Sequence, residues 1–353
     1  MLSHGAMLRN CASCNKLLES LTSDLKKEIR YLSWLPLSHS YEHTLQFLEM
    51  GQGAQIYYAE SIDKLLVNMS EAAPHFMTAV PRFYDSLHTR ISQGLKNQSK
   101  LSQRFFATTL KLGMKKYYGD HMSFGERLLN GLMDRIVRKK VKKRFGGSLR
   151  ALISGGAALN FEVGLYLSAL GLPLLQGYGQ TETINVIANF PGMPIKQGSM
   201  GKPCPGFDIE IIDNEANILE TDEIGNIGIK ITNPYPPGLF KGYYKDQIKT
   251  SEVFRNGWYF TGDTATKDKD GYIWFVGRAD DIITSSGYRI SPFEIESTLL
   301  EHQHVVEAAV IAKKDYIRGE IVAAFIVLGK NQQGNEKLKL EIQEFVKTKT
   351  APY

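Results

Sequence analysis

Residues Gln176 to Thr183, QGYGQTET, gather side chains able to hold a nucleotide. Tyr178 offers a flat ring to a purine. Thr181 offers a hydroxyl to a phosphate oxygen, and Glu182 is a hard oxygen ligand suited to a magnesium ion shared with that phosphate. Gly177 and Gly179 leave the backbone free to come close to a ligand. A structural turn would use the same residue types, and spacing alone does not separate the two. Downstream, Asp263 in YFTGD can accept hydrogen bonds from both hydroxyls of a ribose, or cap a turn. Arg278 in FVGRADD follows a strand pattern and can hold a phosphate or ribose oxygen, or a surface ion pair.

The elements that must position these residues read as an α/β fold. RYLSWLPLSHSY, Arg30 to Tyr41, reads as a strand that breaks at Pro36 into a polar loop. Ser99 to Arg144 reads as helical. Its last part places Met133, Val137, Val141 and Phe145 at four-residue spacing. Arg135, Arg138, Lys139, Lys140, Lys142, Lys143 and Arg144 fall on the other faces. A core helix with a solvated basic back is the plain reading; contact with phosphates or an acidic membrane surface is the other. Leu149 to Ile153 is a buried-strand pattern running into Gly155 and Gly156, Asn160 caps the next helix, and that helix stops near Gly171. LPLLQGYGQTET repeats the theme of an apolar strand opening into a glycine-rich loop. Strand, helix, strand with glycines at strand ends predicts a parallel sheet, whose ligands sit beyond the strand carboxyl ends.

After Gly201 the texture changes to short strands with turn pairs at Asn256-Gly257 and Asp270-Gly271. Ser291, Pro292 and Glu294 open a helix with a capping box, followed by strands at Val305 to Ala312 and Glu320 to Leu328 and a helix from about Glu336. The expected architecture is a large domain of mixed and parallel sheets with helices, then a small α+β domain.

Composition sets outer limits. The chain has 353 residues, 43% hydrophobic and 22% charged, an ordinary globular balance without repeats or low-complexity tracts. No apolar stretch approaches the roughly 20 residues of a membrane span. The opening residues lack the apolar core of a secretion signal. A cytoplasmic location is therefore expected, with peripheral attachment to a membrane left open. The net charge of +5 suits anionic ligands but is too mild for a nucleic-acid partner. Cys11, Cys14 and Cys204 are too few for a disulfide framework. Without a second pair or a nearby histidine, Cys11 and Cys14 read as two thiols one helical turn apart.

Taken in order, RYLSWLPLSHSYEH, SGGAAL, QGYGQTET, NGWYFTGD, GRADDIITSSGYRISPFEIE and DYIRGE resemble the core motifs of the adenylate-forming, AMP-binding superfamily. That superfamily holds acyl-CoA synthetases, peptide-synthetase adenylation domains and luciferases. The resemblance implies that Tyr178 stacks on adenine, with Gly155, Gly156 and Ala157 as the opposite wall and Gln176 through Gln180 completing the nucleotide site. Thr181 would contact the α-phosphate, Glu182 the magnesium, Asp263 the ribose hydroxyls with Arg278 beside them, and His39 would border the acyl pocket. Asp280 would be the hinge between a large domain, 1–279, with a β-rich subdomain at about 201–279, and a mobile domain, 280–353. Ser286, Gly287 and Tyr288 would face the pantetheine tunnel, Arg318 would reach coenzyme A, and Arg289 would move at the nucleotide site.

The implied activity is two-step: a fatty carboxylate attacks the α-phosphate of ATP, then coenzyme A displaces AMP. Fatty acid, ATP, Mg2+ and coenzyme A are the expected ligands. WLPLSHSYEH resembles long-chain synthetases, whereas GRADDIITSSGYRISPFE is closer to medium-chain and acetate-type members. The alternatives are an enzyme loading a carrier protein and a non-catalytic binder of AMP or acyl-CoA. In the family a phosphate loop ending in lysine precedes a segment like MLSHGA, and an adenylation lysine follows one like Ala351-Pro352-Tyr353. The chain is therefore expected to be truncated at both ends and to form acyl-adenylate poorly by itself.

Overall fold

Short apolar runs that open into glycine become neighbouring strands. The computed structural model describes residues 2–25, 28–190, 192–286, 288–329 and 332–350. It forms two compact units, Met1–Asp208 with Ile231–Thr250 and Gly271–Ile273, and Ile209–Lys230 with Ser251–Asp270 and Trp274–Tyr353.

The first unit runs α1 (His4–Thr22), β1 (Arg30–Ser33), α2 (Ser40–Gly51), β2 (Gln55–Tyr58), α3 (Leu65–Ala72), β3 (Phe76–Ala79), α4 (Pro81–Lys96), α5 (Lys100–Tyr117) and α6 (Phe124–Met133). A π turn (Asp134–Arg138) joins α6 to α7 (Lys139–Arg144), and β4 (Ala151–Ser154), α8 (Phe161–Ala169), β5 (Leu174–Gln180), β6 (Ile184–Ala188) and β7 (Lys202–Pro203) follow. The seven strands form one sheet in the order β2-β1-β3-β4-β5-β6-β7. β1 to β5 pair in parallel, while β6 and β7 add antiparallel strands. The core packs Leu152 and Met77 of the sheet against Leu167 and Leu170 of the α8 region, with Tyr84 of α4 and Phe106 of α5. Each such buried side chain contributes roughly 1.5–3 kcal/mol relative to exposure.

The second unit holds two sheets. β8 (Ile209–Ile212), β9 (Gly225–Lys230), β10 (Phe254–Arg255) and β11 (Trp258–Lys267) form the order β10-β11-β9-β8, with β12 (Ile273–Arg278) on β11. A short helix, α9 (Gln247–Val253), leads into β10. β13 (Ile283–Ser285), β14 (Tyr288–Ile290), β15 (Val305–Asp315) and β16 (Gly319–Leu328) give a second antiparallel sheet, β14-β13-β16-β15. α10 (Pro292–Leu300) and α11 (Glu336–Lys349) pack on it through Ile295, Leu299, Leu338 and Ile342. Among the described residues no helix is long and apolar enough to cross a membrane.

Two local readings of the sequence change, and a third gains detail. The Arg30–Tyr41 strand ends at Ser33, and Ser40 and Tyr41 already belong to α2, because the His39 ring nitrogen accepts the Tyr41 N–H at 3.2 Å and starts the helix. The stretch 99–144, read as helical, is helical in segments: Gly119 takes φ +71 after α5, and a reciprocal Ser123–Glu126 capping box starts α6. Gln176 to Gln180 is strand rather than loop, because β6 folds back and pairs with it. The Asn160 cap holds as read, its side chain accepting the Glu162 and Val163 N–H groups at 2.8 and 3.3 Å.

α2 buries two carboxylates about two turns apart on one face. Glu42 accepts hydrogen bonds from Ser33 (2.5 Å), Tyr31 (3.0 Å) and Thr78 (3.1 Å). Burial raises its carboxyl even so. Glu49 is 1% exposed, and neither of its oxygens has a hydrogen-bond partner among the described residues. Burial, with the Glu42 charge added, pushes Glu49 up to about 8 from 4.5. The unfolded chain ionises Glu49 near 4.5 while the folded chain keeps its proton to about 8. The folded state therefore binds more protons in that window, and stability falls as pH rises through it. Glu49→Gln is expected to flatten the fall in urea-unfolding stability between pH 5 and pH 8. The variant should gain steadily on the unaltered protein from pH 5 to pH 8, whereas parallel pH profiles would contradict a buried neutral Glu49.

Candidate functional site

At the carboxyl end of the parallel strands, β4 and β5 run out beside the start of α2 and the face of α1. They enclose a cavity of about 310 Å³. Its polar side carries His39, Ser40, Gly155, Gly156, Tyr178 and Thr181, and Gln176, Gly177, Gly179 and Gln180 line the β5 wall. Its apolar side is formed by Leu17 and Leu18 of α1 with Leu45 and Leu48 of α2. Nine sequence-derived candidates therefore share one cavity, by count of His39, Gly155, Gly156, Gln176, Gly177, Tyr178, Gly179, Gln180 and Thr181. Ala157 is not among its lining residues.

Close backbone approach explains the glycines. A Cβ on Gly155 would stand 2.9 Å from the Tyr41 ring, which fills the space beneath it. A Cβ on Gly179 would meet the Ile184 carbonyl oxygen at 1.7 Å, where β6 crosses β5 at a register shift. Here the glycine serves the neighbouring strand as well as any ligand. Immediately beyond, Ile184 holds φ +58, a costly conformation for a β-branched residue. Thr183 steadies the turn: its hydroxyl accepts the Gln180 N–H at 3.0 Å and donates to the Ile184 carbonyl at 3.0 Å.

That turn presents Thr181 and Glu182. The exposed Thr181 hydroxyl lies 3.4 Å from Ser40 Oγ. Glu182 is half-buried, its backbone carbonyl accepts the Phe240 N–H at 2.7 Å, and its carboxylate accepts the Tyr243 hydroxyl at 3.2 Å. Tyr243 was not legible as a partner, since a lone tyrosine sixty-one residues away carries no local signal.

Two acceptors in the cavity wall, Gln176 Oε1 and Asn189 Oδ1, are buried with no hydrogen-bond partner among the described residues. They fit a ligand that brings N–H donors. Cys11 and Cys14 also line the wall, one turn apart on α1. Burial pushes the Cys14 thiol up to about 11 and raises Cys11 and Cys204, so all three stay protonated at neutral pH. No group of three or more metal-ligating side chains occurs among the described residues. The sequence did not single out this thiol and leucine wall as a site, because its signal is only the ordinary apolar face of a helix.

In the second unit, Asp263 and Arg278 come together as neighbours on β11 and β12. Asp263 is 5% exposed, and its carboxylate accepts Arg278 Nη1 at 3.2 Å. Gly262, at φ +75, turns the strand there. Arg278 also lies 3.9 Å from the exposed Asp280. Ser286, at φ +50, donates its N–H to the Arg318 carbonyl at 2.9 Å, which brings the β13–β14 and β15–β16 turns together. Tyr288, Arg289 and Arg318 are exposed at these turns; Gly287 lies outside the described residues.

A model of the AMP-binding enzyme family matches residues 1–244, and one of the AMP-binding enzyme C-terminal domain matches residues 294–353. The chain belongs to the AMP-binding enzyme family. Among curated relatives, this family member is 48% identical over 209 residues to rat (Rattus norvegicus) mitochondrial acyl-coenzyme A synthetase ACSM3, covering 58% of the chain and 36% of the relative. It is 47% identical over 221 residues to human (Homo sapiens) mitochondrial acyl-coenzyme A synthetase ACSM4, covering 62% and 38%. The chain thus spans little more than a third of the length of these relatives.

Among solved structures, the fold is similar to o-succinylbenzoate CoA synthetase (MenE) from Bacillus subtilis in complex with the acyl-adenylate intermediate OSB-AMP. The TM-score is 0.73 at 23% identity, over 100% of this chain and 60% of that one. An ATP-bound RpMatB-BxBclM chimera gives a TM-score of 0.72 at 26% identity, over 99% and 61%.

The β5–β6 crossing gives a direct test of the site's architecture. Gly179→Ala is expected to lower the melting temperature by several degrees or to leave the chain insoluble, as overpacking against a backbone oxygen costs about 1–3 kcal/mol or more. Gly94→Ala, in α4 with nothing within 4 Å, is expected to be neutral or stabilising by up to ~1 kcal/mol. Equal melting of the two variants would contradict the close approach.

Proposed function

We propose that this family member forms the acyl- and nucleotide-binding part of an AMP-forming fatty acid–coenzyme A ligase. The observation that carries the reading is one cavity with a polar, glycine-walled side and an apolar side of leucines. The polar side suits a nucleotide and the reacting carboxylate, and the leucines suit an alkyl chain, which gains roughly 0.8 kcal/mol per buried CH₂. The similarity to acyl-coenzyme A synthetases supports the same reading over a non-catalytic binder or a carrier-loading enzyme.

In this reading Tyr178 stacks on adenine against Gly155, Gly156 and Ala157, and Gln176 takes an amino proton of the base. Thr181 donates to the α-phosphate. Glu182 is the carboxylate that would hold magnesium beside the phosphates. The ion would neutralise phosphate charge during attack by the fatty carboxylate. His39, fixed by its cap on α2, borders the reacting carboxylate. Pyrophosphate leaves in the first step. In the second, the coenzyme A thiolate attacks the acyl carbonyl and AMP leaves.

Asp263, held in place by Arg278, would bind the ribose hydroxyls. Ser286, Gly287, Tyr288 and Arg318 would meet coenzyme A, Arg289 the nucleotide, and Asp280 would be the hinge at a boundary near 280.

Calorimetric titration with MgATP, ATP in EDTA and AMP tests the assignment. Glu182→Gln is expected to abolish the preference for MgATP, weakening it by at least about ten-fold, the loss seen when even an outer metal partner is removed. AMP binding should be unchanged. Equal affinity of the unaltered protein for MgATP and AMP, or a Glu182→Gln variant that still prefers MgATP, would overturn it.

A further inference from the structure

α6 turns a row of apolar side chains away from the protein. Of its inward positions, Glu126 pairs with Lys115 at 2.8 Å, Asn130 accepts Arg138 Nη1 at 2.9 Å, and Met133 is fully buried. Its outward positions are apolar, with Phe124 85%, Leu128 70% and Leu132 47% exposed at four-residue spacing. The π turn adds a residue at 134–138 and rotates Arg138 inward, against the reading of Arg138 as a surface cation. There it is 8% exposed and donates to the Ala169 and Thr109 carbonyls at 2.7 and 3.0 Å. The remaining cations stay outside. Arg135, Lys139 and Lys143 are exposed and have no ion-pair partner among the described residues.

We propose that the α6–α7 element is a docking surface for an anionic lipid bilayer, with Phe124, Leu128 and Leu132 entering the headgroup boundary and Arg135, Lys139 and Lys143 meeting lipid phosphates. A row of apolar side chains in water is unfavourable unless something covers it. The cover must offer apolar depth beside negative charge, and these lie along one continuous helical surface. A membrane interface supplies both over such a length. A nucleic acid would answer the cations but leave the aliphatic row in water. This inference does not depend on the ligase reading.

The test is vesicle flotation of the full chain with phosphatidylcholine, alone and mixed with phosphatidylglycerol, at low and high salt. Binding is expected only to the anionic vesicles, and weaker in high salt. The combined Arg135→Gln, Lys139→Gln and Lys143→Gln variant should lose about 100-fold in partitioning, roughly five-fold per cation. Phe124→Ser with Leu128→Ser should also release the protein while leaving its melting temperature unchanged, since both side chains are exposed. The cation variant and the salt response stand as the test if the serine variant melts early. The proposal is overturned by absence of binding to anionic vesicles, or by binding that neither variant weakens. It is also overturned by self-association or polyanion binding that these variants abolish in the absence of any vesicle binding.

Discussion

The candidate site depends on two backbones passing too close for any side chain between them. At Gly179 the Ile184 carbonyl occupies the position a Cβ would take. That closeness lets β6 turn back antiparallel on the last strand of a parallel run. The reversal places Thr181 and Glu182 on a three-residue turn at the strand carboxyl ends, where a doubly wound sheet opens toward its ligands. The left-handed Ile184 is the cost of so tight a reversal. It is met by the Thr183 hydroxyl, which engages the backbone on both sides of the turn.

The other wall of the cavity rests on α2. Its first residue is fixed by the His39 cap, which commits Tyr41 to the space under Gly155 and sets the leucines of α2 against those of α1. The same rotation turns Glu42 and Glu49 inward. Glu42 is compensated by three hydroxyl-bearing side chains, while Glu49 is compensated only by keeping its proton. Positioning of the cavity and a pH-dependent weakness in the first unit thus come from one helix register.

Legibility in the sequence followed the range of the forces involved. Period, caps and turns are local, so the Asn160 cap, the strand into Gly155 and the helix beginning after Ser291 could be read directly. The break between α5 and α6 is equally local, written in Gly119 and in Ser123 with Glu126, within a stretch that reads as helical. Non-local pairing was out of reach. QGYGQ reads as a glycine loop until β6 is laid beside it, Tyr243 joins Glu182 across the chain, and Arg138 reads as a surface cation until the π turn rotates it onto two carbonyls. Of the motif residues, nine in the first unit line one cavity, from which Ala157 and Glu182 are absent, and Asp263 meets Arg278 within the second.

In the proposed reading, one cavity holds the nucleotide at its polar side and an alkyl chain at its leucine side. The most direct measurement is the affinity of acyl-sulfamoyl-adenosine, an unreactive acyl-adenylate mimic, as its acyl group is lengthened one carbon at a time. The account predicts affinity rising about four-fold per methylene until the apolar side is full. Leu48→Trp should end the rise several carbons earlier. Affinity independent of chain length, or a series unchanged by Leu48→Trp, would contradict it.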